Sequence, residues 1–161
     1  MQRFNGWPLL SGLCFAATIS STVLAPVAVS APSKDIERGR YISVIGGCND
    51  CHTAGYLLNE GKIPEKDWLM GDKFGWRGPW GTTYAPNLRI YMSKISEDDW
   101  VTLSKEITPR PPMPWFNLRH MHEADLRALY KFIRSLGPVG KPAPDYLPPD
   151  KVPPPPFAQF P

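Results

Sequence analysis

The segment Cys48-Asn49-Asp50-Cys51-His52 limits what this chain can fold into more than any other part of the sequence. Its two thiols are three positions apart, and the imidazole of the next residue projects from the same turn of chain. This C-x-x-C-H spacing is the attachment signature of c-type haem, in which each thiol adds to a vinyl group of the macrocycle. We therefore expect one covalently bound haem c, attached through Cys48 and Cys51, with His52 as an axial ligand of its iron.

Three other uses of this cysteine pair compete with haem attachment. A disulfide is chemically possible after export, but it leaves the adjacent histidine without a role. A structural zinc site needs four ligands, and the sequence, with 3 cysteines, has no second pair. A thioredoxin-type redox pair is expected in a strand–helix–strand context, and no such pattern surrounds the motif. Haem attachment is the interpretation that uses both thiols and the histidine.

Residues 1–30 are typical of a secretory signal peptide. They hold one charged residue, Arg3, followed by an apolar stretch over 9–29 that ends in small residues. Polar side chains and Pro26 make this stretch a poor membrane-spanning helix. We expect export to the periplasm, with membrane contact only indirect or through an uncleaved signal, and the sequence leaves cleavage open. Cys14 would be removed with a cleaved signal.

The remainder of the chain has the length of one domain. The formal net charge of +3 is too small and too dispersed to indicate nucleic-acid binding. Caps and apolar residues at spacings of three and four predict three main helices, over 34–45, 97–107 and 123–136. We therefore predict an all-α domain over 31–137 with long loops, followed by an extended proline-rich tail over 138–161.

The segment 53–95 is rich in glycine and tryptophan and has little periodicity. A structureless segment of that length is unusual in a small domain, so we expect it to wrap a large apolar group. Gly39, in the middle of the first helix, should cost about 1 kcal/mol relative to alanine. A close helix crossing would explain that cost, and Tyr130 of the last helix is our candidate to cover Gly39.

The tail over 138–161 has two interpretations, a strap over the domain and a docking segment for a partner. We favour the strap because apolar side chains are available to anchor it. They are Tyr146, Leu147, Phe157 and Phe160.

The sixth ligand of the iron decides between functions. Met113 is the leading candidate because it lies in Arg110-Pro111-Pro112-Met113-Pro114-Trp115, where the prolines stiffen the loop that presents its thioether. Met70, in the aromatic- and glycine-rich loop, is the next candidate. We assign three further residues to the surface or to packing, namely His120, His122 and Met121.

Five features follow one another along the chain: a helix, the C-x-x-C-H motif, a long loop, the proline-flanked Met113 and a final helix. This order resembles a class I c-type cytochrome, and more narrowly the cytochrome domains in subunits of bacterial membrane-bound alcohol and gluconate dehydrogenases. The resemblance covers residues 35–137. It is carried by Gly39-Arg40-Tyr41, Gly47-Cys48, Cys51-His52-Thr53, Gly81-Thr82-Thr83-Tyr84-Ala85-Pro86-Asn87-Leu88, Met113-Pro114-Trp115 and Asp125-Leu126-Arg127-Ala128-Leu129-Tyr130. It implies a small cytochrome c fold around one haem, and it implies Met113 as the axial sulfur ligand, in agreement with the stiffness of its loop.

The chain departs from this family in two respects. The dehydrogenase subunits usually carry several haem domains, whereas this chain has one attachment motif. Asn87-Leu88 is followed here by Arg89-Ile90 and not by the Thr-Pro-Asp expected after the family's asparagine.

Ligation by histidine and methionine leaves no open position on the iron, which favours electron transfer over oxygen or peroxide chemistry. We therefore expect an electron carrier and not an enzyme, taking electrons from a dehydrogenase and passing them towards a terminal oxidase or another cytochrome. A haem-based ligand sensor or peroxidase-like enzyme, which needs a displaceable sixth ligand, is the alternative. A third interpretation is a permanent electron-transfer subunit of a dehydrogenase complex.

Two further sets of side chains are expected at the haem. Tryptophans would bury it, and arginines could pair with its propionates through bidentate contacts. The tryptophans are Trp76, Trp80 and Trp115, and the arginines are Arg77, Arg89 and Arg110.

Overall fold

The computed structural model describes residue 1 and residues 33–161. Residues 2–32, and with them the predicted signal and Cys14, lie outside the described residues. The helices are α1 (Lys34–Ile45), α2 (Cys48–His52), α3 (Leu88–Met92), α4 (Glu97–Glu106), α5 (Trp115–His120) and α6 (Glu123–Ser135). The strands are β1 (Gly75–Gly78), β2 (Gly81–Tyr84) and β3 (Phe157–Gln159), and one 3-10 turn spans Glu65–Asp67. In residues 33–161, no helix combines the length and the apolar character needed to cross a membrane.

The three longest helices, α1, α4 and α6, are the three that the sequence predicts, and their starts are fixed by local chemistry. The Ser33 hydroxyl accepts a hydrogen bond from the backbone N–H of Ile36 at the start of α1. At the start of α4, Ser96 and Asp99 form a reciprocal capping box. Such caps depend on residues three positions apart, so they could be predicted from the sequence.

Helices α1 and α6 cross closely at Gly39, as expected, but the partner residues differ from the prediction. A Cβ atom on Gly39 would lie 2.0 Å from the carbonyl oxygen of Ala128 and 2.7 Å from the Cβ of Phe132. Tyr130, the predicted partner, instead donates its hydroxyl to the carbonyl of Ile95 at 2.9 Å. The prediction of Tyr130 was wrong because Ala128 and Phe132, four positions apart, share the face of α6 that meets Gly39, whereas Tyr130, two positions from each, lies on another face.

Around this crossing lies the apolar core. Its buried members come from helices α1, α3, α4, α5 and α6 and from the segment before β1. They are Ile42, Trp68, Leu69, Met92, Trp100, Leu118, Leu126, Leu129, Phe132 and Ile133.

The all-α prediction is wrong, because the described residues also form a three-stranded sheet in the order β2-β1-β3. Strands β1 and β2 make an antiparallel hairpin, and β3 pairs with β1 in parallel, with Trp76 opposite Ala158. Two of the strands and α3 lie within the segment 53–95, for which the sequence predicts a loop. Each of these two strands has only four residues and contains glycine, so neither shows the alternation by which a strand is recognised.

The proline-rich tail lies against both edges of the hairpin. The backbone of Leu147 exchanges two hydrogen bonds with Thr82 of β2, at 2.7 and 3.0 Å. Further along, β3 pairs with β1, and the Phe160 ring lies 5.5 Å from that of Trp80. The tail therefore contacts the domain along much of its length, as the strap interpretation requires.

Candidate functional site

A cavity of about 400 Å³ lies between α2, the β1–β2 hairpin, the loop over 110–114 and the tail. Its wall is largely apolar and is continuous with the core, because Trp100, Leu118, Leu129 and Ile133 belong to both. The volume is within the usual range of cofactor and ligand sites. All four predicted attachment and ligand residues contribute to its lining, namely Cys48, Cys51, His52 and Met113.

Helix α2 presents the two cysteines of the motif. Gly47, at φ 70°, turns the chain between α1 and α2, a conformation that glycine adopts without a side-chain clash. Cys48 and Cys51 are free thiols, and each is half-buried. Burial raises the pKa of Cys48 to about 12 and also raises the pKa of Cys51, so both thiols are protonated at neutral pH. The chain thus places two thiols at one wall of an apolar cavity.

His52 ends α2 and is buried, with its Nδ1 atom 2.8 Å from the carbonyl oxygen of Pro86. Burial lowers its pKa, so the ring is neutral at neutral pH. A carbonyl oxygen can only accept, so Nδ1 carries the proton and Nε2 keeps its lone pair. This is the arrangement by which a backbone carbonyl orients a metal-ligating histidine and fixes its tautomer.

His52 and the next residue, Thr53, are held in place by hydrogen bonds. The Thr53 hydroxyl donates to Asn49 Oδ1 at 2.7 Å and accepts from the backbone N–H of Leu69 at 2.8 Å. The carbonyl of His52 accepts from the N–H of Gly71 at 2.7 Å. Asn49 lies within the motif, and Leu69 and Gly71 lie in the segment before β1, so these bonds tie His52 and Thr53 to two parts of the chain. The imidazole therefore has little freedom to move away from the cavity.

Among the methionines, the structure separates the two leading candidates for a sulfur ligand. Met113 lines the cavity, whereas Met70 lies against Gly140, where a Cβ would be 3.4 Å from its sulfur, and does not contribute to the lining. Met121, for which the sequence favours a packing role, also lines the cavity. Both histidines near α6, His120 and His122, are exposed and do not line it. The cavity therefore has two thioethers in its wall, and Met121 replaces Met70 as the competitor of Met113.

The side chains expected to surround the haem are only partly at the cavity. Trp76 lines it, and its buried Nε1 has no hydrogen-bond partner among the described residues. Trp80 packs on Phe160 and Trp115 on Phe116, away from the lining. Trp100 lines the cavity instead. In the sequence it belongs to the apolar stripe of α4, and no local signal there distinguishes a cavity wall from core packing.

The three arginines have different positions. Arg110 is exposed at the cavity rim and lies over the Tyr146 ring, 3.9 Å from its centroid. Arg77 donates to the carbonyl of Lys151 in the tail at 2.8 Å. Arg89 is buried and donates to backbone carbonyls at the end of α6, those of Leu136 and Gly137. Arg89 thus binds the carbonyls of the C-cap residue of α6 and of the residue after it, which gives this arginine a structural role.

Taken together, the residues present fit a covalently attached haem. The cavity combines two thiols, a neutral imidazole with a free Nε2, two thioethers and an unpartnered indole N–H within an apolar wall. Separately, the described residues contain no cluster of three or more His, Cys, Asp or Glu side chains that could hold a metal ion.

Comparison with known proteins gives one distant relative. The chain is 28% identical over 115 residues to a subunit of nicotinate dehydrogenase from Pseudomonas putida, a match that covers 68% of this chain and 9% of the relative. The chain thus spans about a tenth of the length of this curated relative. No protein-family model matches the chain, and no solved structure matches it. The chain is therefore similar to part of a dehydrogenase subunit.

Proposed function

We propose that the protein is a periplasmic electron-transfer protein that carries one covalently attached haem c. In this proposal Cys48 and Cys51 hold the haem, and His52 and Met113 are its axial ligands. The observation that carries the proposal is that the two thiols, the neutral imidazole and the Met113 thioether all line one apolar cavity, although Met113 is far from the motif in sequence.

The bound haem would supply a one-electron couple between ferric and ferrous iron. The chain's own residues would set the conditions for it. His52 offers a lone pair at Nε2 because its proton is on Nδ1, which donates a hydrogen bond to the carbonyl of Pro86. A thioether ligand favours the ferrous state, and the apolar wall formed by residues such as Trp76 and Leu129 favours it further by lowering the local dielectric.

The proposed partners are a dehydrogenase as electron donor and an oxidase or another cytochrome as acceptor. Similarity to a protein named as a dehydrogenase subunit supports the donor class. It equally supports the variant in which the chain is itself an electron-transfer subunit within a dehydrogenase complex. Co-purification from the native host, in the presence and absence of detergent, separates a free carrier from a permanent subunit.

The ligand assignment is tested by the absorption spectrum of the purified ferric protein. We expect the long-wavelength sulfur-to-iron charge-transfer band in the wild type, its loss in Met113→Ala, and its retention in Met70→Ala and Met121→Ala. The Met70 variant is a matched control because this methionine does not line the cavity. Loss of the band in Met121→Ala alone would transfer the ligand role to Met121.

Covalent attachment is tested separately on denaturing gels stained for haem. Wild-type protein should retain the stain after boiling in detergent, and the Cys48→Ala/Cys51→Ala variant should lose it. Absence of covalent haem in the exported wild-type protein would overturn the proposed function. Ready binding of carbon monoxide by the reduced wild type would favour the ligand-sensor alternative.

A further inference from the structure

The C-terminal tail contacts the loop that carries Met113. Tyr146 and Pro144 of the tail line the cavity. The Tyr146 ring lies beneath the guanidinium of Arg110, with 3.9 Å between the Arg110 Cζ and the ring centroid. The Tyr146 hydroxyl donates to the carbonyl of Trp80 at 2.9 Å. A residue outside the haem motif and far from it in sequence thus stands between the hairpin and the loop over 110–114.

The loop over 110–114 depends on side chains for its position. Three of its five residues are prolines, which lack the N–H group, so the loop has few donors with which to form a backbone ladder with the neighbouring hairpin. Two side-chain contacts tie it to the cavity wall. The Thr83 hydroxyl donates to the carbonyl of Pro111 at 2.8 Å, and Arg110 stacks on Tyr146. Loss of the second contact would leave the loop that carries Met113 with one side-chain restraint fewer.

Tyr146 is itself held in place by the hairpin. Its neighbour Leu147 exchanges backbone hydrogen bonds with Thr82. Gly81, at φ 94°, allows this close approach, since a Cβ there would lie 2.4 Å from the Leu147 carbonyl oxygen and 2.8 Å from the Tyr146 ring. These contacts fix the tail against the hairpin and so hold the Tyr146 ring in position to stack on Arg110.

We propose that Tyr146 is a positioning residue for Met113: by stacking under Arg110, it holds the loop over 110–114 against the cavity and keeps the thioether at the iron. This inference rests on the proposed function, because it concerns the ligand of the same site. Its consequence is that the tail, which lies outside the family resemblance, controls how readily the sixth position accepts another ligand.

The test compares haem-containing protein carrying Tyr146→Leu, Tyr146→Phe or Arg110→Gln with the wild type. Tyr41→Leu is the matched control, because Tyr41 also lies under an arginine, with 5.2 Å from the Arg38 Cζ to the ring centroid, but does not line the cavity. The measurements are the affinity of the ferric protein for imidazole, the temperature at which the charge-transfer band is lost, and global unfolding by far-ultraviolet circular dichroism.

We expect Tyr146→Leu and Arg110→Gln each to bind imidazole about fivefold more tightly than the wild type, the effect expected from losing one partly exposed cation–π contact. Both should lose the charge-transfer band at a lower temperature, well before the helices unfold. Tyr146→Phe keeps the ring and should behave like the wild type in imidazole binding. The double variant should add little to either single one, since both remove the same contact.

Wild-type imidazole affinity and an unchanged band in both Tyr146→Leu and Arg110→Gln would overturn the inference and leave the proposed function standing. Absence of the band from the wild type would instead overturn both. If Tyr146→Leu fails to fold, Arg110→Gln decides the question, because Arg110 is exposed and its substitution leaves the core intact. An equal effect of Tyr41→Leu would also contradict the inference, since it would indicate a general loss of stability.

Discussion

Gly39 shows how much depends on a single missing side chain. The Cβ that alanine would add there meets the backbone carbonyl of Ala128, which cannot move aside without shifting α6. Without this contact, alanine would be favoured over glycine by about 1 kcal/mol at a position in the interior of a helix. Packing therefore predicts that Gly39→Ala destabilises the protein, whereas helix propensity predicts that it stabilises it.

We expect Gly39→Ala to lower the free energy of unfolding by about 2 kcal/mol, because a contact this close to backbone places the overpacking cost near the upper end of about 1–3 kcal/mol, whereas helix propensity returns only about 1 kcal/mol. Chemical denaturation of the haem-containing protein measures the change. Thr102→Ala, at an exposed position of α4, is the control and should change stability by less than about 0.5 kcal/mol. A variant as stable as the wild type would show that relieving the contact between the two helices costs no more than the roughly 1 kcal/mol that helix propensity returns.

The same helix pair is joined by an ion pair. Hydrogen bonds from Arg38, at 2.8 and 3.2 Å, hold the pKa of Asp125 below its ordinary value. Because the folded-state pKa is the lower one, the pair stabilises the fold above the unfolded-state pKa of about 3.9, and this stabilisation is lost as the pH falls through the folded-state pKa.

We expect Asp125→Asn to melt at a lower temperature than the wild type at pH 7, with the difference disappearing as the pH falls below about 3.9. Thermal unfolding followed across this pH range measures the difference. Asp145→Asn, an exposed carboxylate of the tail, is the control and should melt like the wild type throughout. A difference that persists at low pH would assign the effect of Asp125→Asn to the start of α6 and not to the pair with Arg38.

Among the helices and strands, the β1–β2 hairpin depends most for its stability on residues that are far from it in sequence. Strand β3 covers the outer edge of β1, and Leu147 covers that of β2, so both edges are paired by the tail. Four-residue strands form a marginal hairpin alone, and a third strand is the usual requirement for stability. Since β1 and β2 also supply part of the cavity wall, the tail supports the site as well as the sheet.

We expect a chain ending at residue 137 to melt at least about 3 °C below the full-length protein, since the lost backbone pairs and aromatic contacts amount to more than about 1 kcal/mol. Val152→Ser, in a tail position that is 72% exposed, is the control and should melt like the wild type. Unchanged stability of the truncated chain, combined with loss of a co-purifying partner, would instead assign the tail to docking.

For the whole molecule, the proposed haem is a part of the core and not an addition to its surface. Core residues such as Trp100 and Leu129 form part of the cavity wall. Without the haem, the apolar wall of this cavity of about 400 Å³ would be left in contact with water, and the burial of these core side chains would be lost in part.

We therefore expect the Cys48→Ala/Cys51→Ala protein, purified without haem, to lose fixed side-chain packing. It should bind a hydrophobic dye and lose its near-ultraviolet circular dichroism while keeping much of its helical signal. The haem-containing wild type, prepared in parallel, is the control. A cooperative melting transition at the wild-type temperature in the haem-free variant would contradict this role of the haem in the core.

Signals between neighbouring residues were sufficient to predict the three main helices and to recognise the C-x-x-C-H spacing. Caps at Ser33 and Ser96 act over three residues, and the C-x-x-C-H spacing places its side chains within one turn of helix. Both kinds of signal are complete within a few neighbouring positions, so no tertiary information is needed to recognise them.

Only the tertiary structure showed which strands pair, which residues meet at the helix crossing and which side chains line the cavity. The β1–β3 pairing joins residues about eighty positions apart, and such partners are chosen by backbone hydrogen bonds that side-chain patterns do not encode. Whether a sulfur such as that of Met70, Met113 or Met121 faces the cavity likewise depends on how loops fold against the core. The sequence by itself therefore determined the chemistry that the site can hold, and long-range packing decided which side chains reach it.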